Sequence, residues 1–147
     1  MSTKKNKDFV RRAWKSWEET FGDPDKMRAL YHKYFTPSTI FHNLATGDMT
    51  LEQRMSSMIP IAAALADVKF ESDDMVAEGD KVAIRYTMKA THKGTLMGIP
   101  AVGKQIALKG FEIDKIAGEK ILEVWELADT QGMMAQLGIS PGPAPKK

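Results

Sequence analysis

The chain has 147 residues, of which 43% are apolar and 27% charged, and its formal net charge is +2. That suits one packed domain of ordinary size and argues against disorder over most of its length. With no cysteine, disulfides, thiolate metal sites, iron–sulfur clusters and cysteine nucleophiles are excluded.

The histidines, His32, His42 and His92, lie far apart in sequence, so no metal site and no cofactor are expected. Lys4, Lys5, Lys7, Lys146 and Lys147 concentrate charge at the two ends, as solvated tails do. No stretch interleaves Lys and Arg with aromatics, so no nucleic-acid partner is expected. No apolar run approaches the roughly 20 residues of a membrane span, and the N-terminal segment has no signal-like apolar core, so a cytoplasmic protein is expected.

In the first half, Val10, Ala13, Trp14, Trp17 and Phe21 recur at three- and four-residue steps, predicting a helix over Asn6–Phe21 that Gly22 stops. Asp23-Pro24 offers an N-cap and a first-turn proline for a second helix carrying Met27, Leu30, Tyr31, Tyr34 and Phe35, closed by Pro37. Ser38–Asn43 is short and strand-like. Thr50-Leu51-Glu52-Gln53 reads as a capping box opening a third helix with Leu51, Met55, Met58 and Ile59, which Pro60 should kink or restart.

The second half alternates instead. Val68, Phe70 and Ser72 step by two to the Glu78-Gly79-Asp80 turn, and Val82, Ile84, Tyr86, Met88, Ala90 and His92 mark the clearest strand. Residues 93–103 form a glycine-rich loop, a third strand runs over Lys104–Ile116, and Ala117-Gly118-Glu119 turns into a fourth over Lys120–Asp129. A short helix over Thr130–Leu137 ends at Gly138. Helices first and antiparallel strands second predict an α+β domain over 1–139, with 140–147 a flexible Pro/Lys tail.

Several of these segments together resemble the SnoaL-like polyketide cyclases (ester cyclases). They are Ala77-Glu78-Gly79-Asp80-Lys81-Val82-Ala83; Thr91-His92-Lys93-Gly94 running on to Gly98-Ile99-Pro100 and Gly103; Lys120-Ile121-Leu122-Glu123-Val124-Trp125 with Asp129 four residues on; and Gln136-Leu137-Gly138-Ile139, with His42-Asn43 after the early helices. The resemblance covers roughly residues 40–139. It implies an NTF2-like cone, helices on a strongly curved, mostly antiparallel sheet around an apolar pocket, and a homodimer or higher homo-oligomer through the outer sheet face. It also implies ring closure of a polyketide ester without metal or organic cofactor, with Asp129 as acid–base catalyst. The chain departs from the family pattern at Leu65-Ala66-Asp67, at Ala101-Val102-Gly103 and at Val124, where the family often has Phe-Pro-Asp, Pro-Thr-Gly and a histidine.

Asp129 shares the parity of Glu123, Trp125 and Leu127, which puts it on the Trp125 face; it reads either as a proton acceptor in an apolar pocket or as the N-cap of the last helix. His42 and His92, with Asn43, are the candidate donors to an enolate oxygen, or else structural groups. Trp14, Tyr86, Phe111 and Trp125 would line the pocket for a small apolar ligand, or simply pack the core. Glu112 and Asp114 share a parity and are expected on a solvated sheet face. The alternative, a carboxylate site with Asp129, would suit an epoxide-hydrolase-like enzyme of the same fold. A ligand-binding module without catalysis is the other alternative.

Overall fold

The first helix, α1 (Thr3–Thr20), opens at Ser2, whose hydroxyl accepts the Lys5 amide, and Gly22 at φ +97° turns the chain after it. The computed structural model describes residues 2–96 and 98–138. The expected 140–147 tail, and Ile139, therefore lie outside the described residues. Helix α2 (Pro24–Tyr34) is capped by the Asp23 carboxylate, and α3 (Leu51–Ala63) by a complete Thr50/Gln53 capping box.

Two boundaries differ from the sequence expectation. Phe35 belongs to strand β1 (Phe35–Asn43) and not to the second helix: Thr36 precedes Pro37, which favours extended backbone there, and Phe35 itself is already extended. Helix α3 runs through Pro60 without restarting, since the proline falls in its exposed last turn. The strand β2 (Gly47–Thr50), absent from the sequence expectation, returns along β1 after a turn in which the Asn43 side chain accepts the Ala45 and Thr46 amides.

Strands β3 (Leu65–Glu78), β4 (Lys81–His92), β5 (Gln105–Ala117) and β6 (Lys120–Ala128) form the antiparallel meander predicted by the alternation, and α4 (Thr130–Gln136) follows. The sheet order is β2-β1-β6-β5-β4-β3, with β1 parallel to β6. Register shifts in β3, including one beside Asp67 at φ +53°, mark where the ladder is interrupted. The result is the expected α+β cone.

Inside it, α1 lies against β3 and β4, while α2 and α3 lie against β1. Two apolar clusters make up the core. One joins the three long helices to Val82, Ile84, Ile116 and Val124, and the other joins Leu65, Met88, Ala90, Leu96 and Ile106 to Met133 and Leu137 of the C-terminal segment. No helix among the described residues is long and apolar enough to cross a membrane.

Candidate functional site

A cavity of about 580 Å³ opens inside the cone. Its walls are largely aromatic and aliphatic. Trp14 meets Tyr86 and Phe70 edge-on at 5.0 and 5.7 Å, and Phe21 meets Phe70 at 5.5 Å. Volume and lining suit a small, largely apolar molecule.

One wall is polar, and it is built by the inner faces of β5 and β6. Glu112 and Glu126 are register partners across these strands and both line the cavity. Arg54 reaches down from α3 and grips Glu126 with both ends of its guanidinium, Nη1 on Oε1 and Nη2 on Oε2, the latter at 2.9 Å. The Asn43 amide adds a third donor at 3.5 Å from Oε1. Burial alone would favour neutral Arg54, but Glu126, Tyr31 and Glu112 together outweigh it and raise the group above its ordinary value. Burial also pushes the Tyr31 hydroxyl of α2 up to about 12, against the pull of Arg54.

Glu112 is in the opposite electrostatic position. Burial raises its carboxyl well above the usual carboxylate range, and the neighbouring Asp114 and then Glu126 raise it further. It therefore keeps its proton into a range where an ordinary carboxyl has lost it. Tyr86 of β4 lies over Gly110, the residue two before Glu112; a Cβ there would sit 2.6 Å from the phenol oxygen and 2.7 Å from the ring carbon bearing it. Glycine at 110 thus makes room for the phenol on the Glu112 face. Burial above all raises the Tyr86 hydroxyl too, so it remains a donor.

The residues singled out from sequence divide sharply. Trp14, Asn43 and Tyr86 line the cavity. Trp125 and Phe111 do not: their parity faces outward, with Phe111 63% exposed and Trp125 stacked on His42 at 5.4 Å. Asp129 follows β6 directly, as the N-cap of α4, and does not line the cavity. Its exposed carboxylate accepts the Gly132 amide at 2.9 Å, and glycine at 132 leaves room for that cap. His42 is held outside the cavity between Asp48 and Glu123, at 2.9 and 2.7 Å. His92 is fully buried at the end of β4 and is not a lining residue, and among the described residues neither of its ring nitrogens has a hydrogen-bond partner.

Conversely, Glu112 and Asp114, expected on a solvated face, point inward. Arg54, Glu126 and Tyr31 were missed. A signal for Arg54 was available: it stands three residues after Leu51 and four before Met58, a charge in the apolar stripe of its helix.

An α+β cone whose curved sheet and helices close on an internal pocket defines an NTF2-like domain. The sequence matches the model of the SnoaL-like polyketide cyclases over residues 7–137, and the chain belongs to that family. AclR, a candidate hydroxylase from Streptomyces galilaeus, superposes with a TM-score of 0.83 at 21% identity, covering 95% of this chain and 100% of its own. A candidate polyketide cyclase from Acidithiobacillus ferrooxidans gives 0.75 at 25% identity, covering 94% of this chain and 98% of its own. IdmH from Streptomyces antibioticus, also a candidate polyketide cyclase, gives 0.74 at 22%, covering 91% and 99%. Among curated proteins, none matches the sequence.

Proposed function

We propose that the protein is a proton-transfer catalyst, a cyclase or isomerase, acting on a small, largely apolar carbonyl compound of polyketide-like character. The observation that carries this is the pair of facing glutamates on the cavity wall, one held protonated by its surroundings and the other clasped by the Arg54 guanidinium. Neighbouring carboxyls whose environments drive them apart supply an acid and a base at one pH. Glu112 and the Tyr86 hydroxyl would donate hydrogen bonds to the carbonyl oxygen, and Glu126 would take the proton from the adjacent carbon. The enolate so formed, its charge held by the two donors, either regains a proton or adds to a second carbonyl of the same molecule, closing a ring. The aromatic walls would keep the rings dry and oriented. On this reading the proton-transfer role implied for Asp129 passes to the glutamates, and Asp129 caps α4.

The test uses 2-tetralone, a flat bicyclic ketone with acidic α-hydrogens, followed by proton NMR in deuterium oxide. Wild-type protein should accelerate hydrogen–deuterium exchange, and Glu112→Gln should lower the rate by about 10²–10⁴-fold. Exchange no faster than in buffer, or a Glu112→Gln rate equal to wild type, would defeat the proposal. Bound ketone recovered without deuterium would favour the non-catalytic binding module.

A further inference from the structure

Behind Glu112 stands a group that this reaction leaves unused. Asp114 follows two residues later on the same inner face of β5, but it is fully buried where Glu112 borders the cavity. Its register partners are Val82 on β4 and Val124 on β6, both buried, so its flanks are apolar. Neither of its oxygens has a hydrogen-bond donor among the described residues. A buried carboxyl without a donor is costly in such a place, and the Glu112 carboxyl precedes it by two residues on the same inner face of β5, where alternate side chains are neighbours. Two carboxyls can hydrogen-bond only while at least one keeps a proton. The other groups that face the pair are Glu126 of β6, Arg54 of α3 and the hydroxyls of Tyr86 and Tyr31.

We infer that Asp114 is a positioning residue for Glu112: protonated, it donates to Glu112 and leaves the Glu112 hydroxyl free for a ligand oxygen; ionised, it takes the Glu112 hydrogen bond itself and leaves the cavity facing an acceptor. The inference rests on the proton-transfer reading above and gives it a direction in pH. Burial lifts Asp114 to about 6, so the donor state prevails below that and fades above it, within a range cells use. Asparagine at this position would donate to Glu112 at every pH and fix the donor state.

Binding of 2-tetralone, which does not itself titrate, reads the switch through tryptophan fluorescence. Wild-type affinity should fall about three- to tenfold as pH rises from about 5 to about 8, the worth of one hydrogen bond, and Asp114→Asn should bind with a flat profile. A flat wild-type profile, or an Asp114→Asn profile that still falls with it, overturns the inference. Carbon-13 NMR of the two carboxyls in wild-type protein decides without any variant. The Glu112 carbon should move as Asp114 ionises, and independent single-step titrations would overturn the inference. If Glu112→Gln exchanges 2-tetralone as fast as wild type, the proton-transfer reading fails whatever Asp114 does. If Glu112→Gln is slow while Asp114→Asn titrates like wild type, only the role of Asp114 fails.

Discussion

The two faces of strands β5 and β6 carry similar side chains in different physics. Inside, Glu112 and Glu126 line a space walled by aromatic rings, with Arg54 bound to Glu126 and Asp114 buried beside them. Outside, Asp48 and Glu123 flank His42, which stacks on Trp125, while Lys81 lies over the same indole at 5.6 Å. Residues that alternate along one strand therefore belong to a low-dielectric site on one face and a solvated, salt-screened surface on the other. Charges inside can be held in unusual protonation states; charges outside cannot be held far from ordinary ones. The proposed chemistry is assigned to the inner face for that reason.

The sharpest way to break the comparison is to leave the inner face with an unpaired charge. Arg54→Leu strands Glu126, whose side chain is 8% exposed, and should cost about 3–5 kcal/mol in urea unfolding. Adding Glu126→Leu removes the stranded charge and should return most of that loss. Additive losses in the double variant would mean that each side chain acts through packing alone. Next in size is Gly110→Ala. The new methyl would meet the Tyr86 ring and lie 3.0 Å from the Leu127 carbonyl, an overpacking worth about 1–3 kcal/mol. Tyr86→Phe should not relieve it, because the ring carbon is as close as the oxygen; Tyr86→Ala should relieve most of it. Full rescue by phenylalanine would show that the hydroxyl alone occupies the space.

Much of the fold could be read before the structure, because its signals are local. The α1 stripe, the Asp23 and Thr50 caps and the Val82–His92 alternation each depend on neighbours in sequence, and all are present. The parallel pairing of β1 with β6 was not legible, since it joins segments some eighty residues apart. The site was less legible, because no local signal says which parity of a strand faces inward. On β5 the inner face carries Gly110, Glu112 and Asp114 while the outer face carries Phe111 and Ile113, the reverse of the usual apolar-inside pattern. On β6, Trp125 and Leu127 drew the cavity to the wrong face in the same way, and Asp129 followed them. A strand lining a reactive pocket breaks binary patterning where polar groups must face inward. Inverted patterning on two paired strands was itself the clue.

The smallest expected effect belongs to the outer face and sharpens the contrast. Hydrogen bonds to Glu123 and then to Asp48 raise His42 above its ordinary value in the folded protein. A histidine raised by folding contributes fully below its unfolded pKa of about 6.5 and loses that contribution as pH rises through the folded value. His42→Gln should therefore weaken the protein slightly near pH 5.5 and hardly at all near pH 8.5, and about 0.5 M salt should shrink the difference because the group is partly exposed. Denaturant titrations of both proteins at the two pH values check this. The inner carboxyls should barely answer the same salt, since ions do not enter the cavity wall. A His42 effect that rises with pH, or one that ignores salt, would mean that its packing on Trp125 matters more than its charge, and the contrast between the two faces would then rest on the inner carboxyls alone.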